Sequence, residues 1–233
     1  MVENVRKTLF QLQDLEYQKF QSKLCPGIDN IIGVRIPELR KLAKKLLKED
    51  YISFLMKVDN TYYEETMLEG ILIASSKMPL NDKFSYLKRF LPKIDNWAVC
   101  DICVSSFHFQ DKDLESVWDF IIPYQNRKAE YELRFLVVMM MNYFLISKYV
   151  EDVFRIIDSI QVDYYYTNMA IAWLISMAFI VDKERTLFYL QHNHLSNFTY
   201  QKALQKIIES NRVSKKDKEM IRRMKGRQDK FMQ

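Results

Sequence analysis

The chain has 233 residues, 48% hydrophobic and 28% charged, with four glycines and five prolines. That apolar content excludes a disordered chain. Glycine plus proline at about 4%, against a usual ~12%, excludes most β-rich and α/β folds, which need glycine for tight turns and close backbone approach. The net charge of +5 is modest but uneven: from Arg212 to Lys230 nine basic residues stand against three acidic ones, +6, leaving −1 for the rest.

Cys25, Cys100 and Cys103 are too few, and odd in number, for a disulfide framework, which fits a reducing compartment. The opening MVENVRKTLFQLQDLEYQKF scatters charge and has no apolar core before a cleavage site, so it does not read as a signal peptide. The expectation is a soluble, cytoplasmic, all-α protein.

In chain order, Val5 to Leu24 reads as one helical stretch, closed by the Pro26-Gly27 turn signal with no room for a second full helix. Ile36 to Lys48 carries Pro37 in its first turn, with Ile36, Leu39, Ala43 and Leu46 on one face and Arg40, Lys44 and Lys48 on another. Helical segments follow at Tyr62–Lys77, Asp82–Leu91, Asn96–His108, Leu114–Ile122, Ala129–Ile146 and Lys148–Ile160. Tyr164–Val181, Lys183–Gln191, Tyr200–Ser210 and a basic helix near Lys215–Lys225 complete the series, with a fraying tail from Arg227. Pro79, Pro92 and Pro123 fall between segments. The apolar runs Phe135–Ile146 and Met169–Val181 fall short of the ~20 residues that span a bilayer and read as core helices.

Short connections imply antiparallel neighbours. The more apolar segments begin near 62, 96, 129 and 164, a period close to the ~40 residues of HEAT-type repeats. The expectation is a single domain, 1–233, forming a curved α-solenoid of HEAT-like helix pairs, with about 212–233 as a basic helix and tail. The cluster Arg35, Arg40, Lys41, Lys44, Lys45, Lys48 and the basic tail suit a polyanion, or equally a solvated face.

One set of residues repeats at the helix-pair period. Asn96-Trp97-Ala98-Val99-Cys100-Asp101 opens one inner helix, Arg134 lies 37 residues after Trp97, and Trp173 lies 39 after Arg134. Trp97 and Asp101, four apart, share a helix face. Together they describe two aromatic walls, a carboxylate and a guanidinium. Taken singly, Asp101 is a helix-start acid, Trp97 and Trp173 are core residues, and Arg134 is a partner for Glu130 or Glu132.

These stretches resemble the AlkD-like DNA alkylation repair family, helical DNA glycosylases that remove cationic alkylated bases. The matching segments are GVRIPELRKLAKKL (33–46), IDNWAVCD (94–101), ELRF with its apolar run (132–141), YYYTNMAIAWLIS (164–176) and HLSNFTYQKALQKIIES (194–210). The resemblance implies Asp101 as catalytic carboxylate, Trp97 and Trp173 as groove tryptophans and Arg134 as a DNA-backbone contact. Arg35, Arg40, Lys44, Lys202, Lys206, Lys215, Arg222 and Arg223 are the expected further DNA-binding residues.

The implied reaction is hydrolysis of the N-glycosidic bond of alkylpurines such as 3-methyladenine and 7-methylguanine in duplex DNA. A fixed carboxylate stabilises the oxocarbenium character that builds on the sugar, and tryptophan faces favour a cation. Two departures stand out: the resemblance implies two helices before GVRIP where one is expected, and basic residues are missing at 167–169 and after Trp173. They leave open a non-catalytic DNA-binding relative that lost lesion engagement with the N-terminal helix; a protein-binding solenoid is a third reading.

Cys100-Asp101-Ile102-Cys103 has C-x-x-C spacing but lies inside a helix and reads as buried thiols, and His192 and His194 lack ligand partners. No metal, no cofactor and a monomer are expected. Met139-Met140-Met141 read as core filler.

Overall fold

The computed structural model describes residues 1–228, with side chains to residue 225. Among these residues the chain is all-α: fourteen α-helices, short 3-10 turns and no strand. They run α1 (Val2–Gln11), α2 (Leu15–Leu24), α3 (Ile36–Leu46), α4 (Tyr51–Lys57), α5 (Tyr63–Ser75), α6 (Leu80–Phe90), α7 (Trp97–Val104) and α8 (Leu114–Ile121). Then come α9 (Glu130–Tyr143), α10 (Val150–Ser159), α11 (Tyr165–Val181), α12 (Lys183–His192), α13 (Asn197–Glu209) and α14 (Lys215–Gln228). The chain forms two compact units, Met1–Leu114 and a second beginning at Glu115. The apolar helices α5, α7, α9 and α11 start at 63, 97, 130 and 165, each one residue after its expected start.

In the first unit α5 is the central element: every residue from Tyr63 to Ala74 is buried. It packs against α3, α6 and α7. The approach of α7 depends on Gly70, where a Cβ would lie 2.7 Å from Phe90 Cζ and 3.0 Å from Cys103 Cβ. Phe90 is fully buried and cannot swing aside. Gly70→Ala is therefore expected to cost about 1–3 kcal/mol through overpacking, read as a lowered midpoint in urea unfolding. An unchanged midpoint would show that α7 has slack.

The charges on α5 are all engaged. Glu64, wholly buried, accepts from the backbone N–H of Ile32 (2.8 Å), Gly33 (2.6 Å) and Val34 (3.1 Å). Glu65 accepts from Arg6 Nε at 2.7 Å, and Arg6 also reaches Asp59 at 2.7 Å, which fastens α1 to α5. Glu69 accepts Lys93 Nζ at 2.8 Å and Asn60 Nδ2 at 2.7 Å.

The N-terminal region corrects the expectation of one helix from Val5 to Leu24. Two ten-residue helices are present, separated at Leu12–Asp14. The cause is a cap with a long-range anchor. Asp14 Oδ1 accepts from Tyr17 N at 2.9 Å and starts α2, while Asp14 N donates to Gly33 O at 2.9 Å. Gly33, at φ +100°, has Gln18 Cβ 2.6 Å and Asp14 O 2.7 Å from where a Cβ would sit, so only glycine lets the loop approach α2 this closely. The Tyr17 amide and the Arg35 guanidinium hold the Asp14 carboxyl below its ordinary value. Two helices therefore precede the 33–46 segment, and the expected shortening of the N-terminal region is corrected; the missing basic residues at 167–169 and after Trp173 remain.

In the second unit α11 packs against α9, α12 and α13, and α14 packs on α13. Trp118, Phe144 and Tyr149 form an aromatic cluster with ring centroids 4.7–5.0 Å apart. Phe154 stacks on Tyr189 at 4.4 Å. Seven-residue α4 was not foreseen. Pro37 stands in the first turn of α3, Pro79 caps α6, and Pro92 and Pro123 sit in 3-10 turns. The helix Lys215–Gln228 outruns its expected end, and the part of the basic tail from 229 to 233 lies outside the described residues. No described helix is long and apolar enough to cross a membrane.

Candidate active site

Helix α7 is short and almost wholly sunk. Ala98, Val99, Cys100, Cys103 and Val104 are buried, and the residues that escape are Trp97, Asp101 and Ile102. Trp97 and Asp101 are one turn apart, so the helix presents an indole and a carboxylate on one partly open face. Buried Asn96 starts the helix, its side chain accepting from Val99 N at 2.9 Å while its Nδ2 donates to Asp95 at 2.8 Å.

Both ends of α7 are pinned to neighbours within the first unit. At its start, Trp97 Nε1 donates to the Leu24 carbonyl at 3.0 Å, satisfying an orphan acceptor at the end of α2 and fixing the indole plane. At its end, Arg40 of α3 donates to Ser106 Oγ and Ser105 Oγ, each at 3.2 Å, and sets a cation where the helix dipole is negative. Arg40 is thus a half-buried brace as well as a basic residue. Arg35 is more exposed, bonded to Asp14 Oδ2 at 2.8 Å and lying over the Tyr17 ring at 5.1 Å. Lys44 is exposed.

The second unit carries the other expected residues. Trp173 is 37% exposed between Ala172 and Leu174, both at 0%, so it is a surface indole and not a packed core residue. Arg134 differs from expectation. It is 5% exposed, and its Nη1 donates to the Tyr166 carbonyl at 2.7 Å in the first turn of α11. A guanidinium so enclosed braces α9 against α11. Nearby, Glu130 accepts from Tyr166 N at 2.6 Å and Thr167 Oγ1 donates to Glu130 O at 2.9 Å, reinforcing the same joint.

Lys202 and Lys206 are half-exposed on α13, with Lys202 Nζ 5.7 Å from the Phe198 ring. Lys215, Arg222 and Arg223 are exposed on α14. Asp217 anchors this helix: it pairs with Lys183 at 3.1 Å and accepts from Ser214 Oγ at 2.7 Å, and these bonds lower its carboxyl. The cysteines of the C-x-x-C are buried, and burial pushes the Cys103 thiol up. No group of three or more metal-ligating side chains occurs among the described residues.

The sequence reading missed Glu64, whose three backbone bonds hold the loop that leads into α3 and hence Arg40. Its only signal was an acidic residue at the head of an apolar helix.

The profile of a family described as DNA alkylation repair enzyme matches residues 5–207. No curated protein matches the chain.

Proposed function

Because the chain belongs to the DNA alkylation repair enzyme family, whose work implies DNA as partner, we propose that it is a DNA glycosylase with Asp101 as its catalytic carboxylate. The observation that carries this reading is the outer face of α7, an otherwise buried helix that leaves an indole and a carboxylate one turn apart and partly open.

The chemistry suits an alkylated purine. A base methylated at a ring nitrogen is cationic and leaves as a neutral purine once the N-glycosidic bond breaks. The sugar then carries the developing positive charge, which a fixed carboxylate stabilises. Water completes the reaction by adding to the anomeric carbon, and Asp101 accepts its proton. Trp97 supplies a π-face for the cationic sugar or base, worth ~0.5–2 kcal/mol. Trp173, exposed on α11, is proposed as a further aromatic contact with DNA. The proposed substrates are 3-methyladenine and 7-methylguanine.

The direct test is single-turnover release of both bases from methylated duplex DNA by the wild-type protein. Release supports the reading. Tight, salt-sensitive binding without release moves the chain to a binding role.

The basic surface makes a separate prediction. Changing Lys215, Arg222 and Arg223 together to glutamine is expected to weaken duplex binding and to flatten its dependence on salt, by about 0.9 in the log–log slope for each phosphate the variant no longer neutralises. Fluorescence anisotropy across a salt series reads both. An unaltered slope would assign α14 to solubility.

A further inference from the structure

On the first unit, the C-terminal end of α5, the turn into α6 and the loop after α7 enclose a cleft of about 510 Å³. Lys77, Lys83, His108, Phe109, Lys112 and Asp113 are among its lining residues. None of them is needed for the chemistry at Asp101.

Lys83 is the unusual member, only 8% exposed. Its Nζ donates to Ala74 O at 2.8 Å and Ser76 O at 3.0 Å, capping buried carbonyls at the end of α5. An ammonium has three donors; two are on these carbonyls, and Nζ also lies 5.6 Å from the centre of the Phe107 ring. Burial pulls the Lys83 amine below its ordinary value, with Asp113 acting in the opposite direction. Asp113 is itself occupied, accepting from Gln110 N at 3.0 Å.

The rim adds charge of the same sign. Lys77 and Lys112 are exposed, so three lysines stand against one aspartate. The His108 ring, at the cleft wall, donates from Nδ1 to Ser106 O at 3.1 Å. Phe109, stacked on Phe107 at 4.8 Å, forms an aromatic wall. A buried ammonium at the cleft wall, with two more cations on the rim, is the arrangement an anion with several oxygens satisfies.

We propose that this cleft binds a phosphoryl group, held by Lys83 from below and by Lys77 and Lys112 from the rim. The group belongs either to a free phosphate ester or to the backbone of DNA. The site does not depend on the role proposed for Asp101.

The test is titration of the full chain with inorganic phosphate at low ionic strength, followed in ¹H–¹⁵N spectra. Saturable shifts are expected at the Ser76, Gln110 and Asp113 amides and at the His108 ring. Lys83→Met removes a helix cap and endangers folding, so the deciding variant is Lys77→Gln with Lys112→Gln, which leaves the cap in place. It is expected to raise the apparent Kd roughly tenfold with an unchanged circular dichroism spectrum. No saturable shift at these positions, equal shifts with chloride, or an unchanged Kd in the double variant would overturn the proposal. A nucleoside monophosphate that binds more tightly than phosphate marks a free ester as the ligand; a duplex oligonucleotide that displaces phosphate marks DNA.

Discussion

Replacing Asp101 by asparagine is expected to slow release of 7-methylguanine from methylated duplex DNA by about 10²–10³-fold, the usual cost of removing one preorganised electrostatic group. The exchange keeps the shape of the side chain and removes its charge. Asp101 is half-buried on a helix whose apolar residues are sunk in the first unit and whose two ends are pinned by Trp97 and Arg40. The variant should therefore fold normally and bind duplex DNA with nearly wild-type affinity. Single-turnover assays, with binding measured on the same samples, separate the two effects. Release at the wild-type rate would remove Asp101 from the mechanism. A fall in binding that matches the fall in release would make it a DNA-binding residue only.

The second large effect is on stability. Glu64→Ala is expected to cost about 3–5 kcal/mol, because it strands buried donors that the carboxylate alone satisfies. In a chain of this size that lowers the melting midpoint by about 10 °C. The three amides belong to Ile32, Gly33 and Val34, and Gly33 also accepts from the first residue of the α2 cap. Loosening this loop should thus release α2 along with the start of α3, and amide exchange in both helices should rise together. Protection retained in α2 would contradict that coupling.

The same residue gives a pH signature. Burial raises the Glu64 carboxyl above its ordinary value, against the three amides that pull it down. A carboxyl with a raised folded-state pKa contributes stability that is complete below its unfolded value and is lost as pH rises through the folded one. The margin of the wild type over Glu64→Gln should be widest in acid and narrow as pH climbs out of the ordinary carboxylate range. A margin that widens instead would mean that the amide bonds outweigh burial.

The helices rich in apolar residues were legible because burial on nearly every side leaves an unmistakable run; α5, α7, α9 and α11 began within a residue of expectation. Position within such a run was not legible. Trp173 sits in Ile-Ala-Trp-Leu-Ile, where composition is silent about which face meets solvent, and the structure leaves it exposed between two buried neighbours. Arg134 failed in the opposite sense: its charge suggested the surface, yet its partner is a carbonyl 32 residues further on. The break at Leu12–Asp14 carries neither glycine nor proline and is imposed largely by a bond to Gly33. Local sequence records propensities, and the last two of these outcomes were decided by a distant partner.

The tether from Trp97 to Leu24 bears on how the chain is made. The N-terminal helices are held by bonds that span 59 residues from Arg6 to Glu65, 42 from Gln21 to Tyr63 and 73 from Leu24 to Trp97. Synthesis delivers them before every one of these partners. These long-range bonds close only as their partners emerge, and the Trp97 indole is the last of the three to do so. Helices made ahead of their partners are then seated late, and their seating sets the plane of an aromatic ring beside the carboxylate.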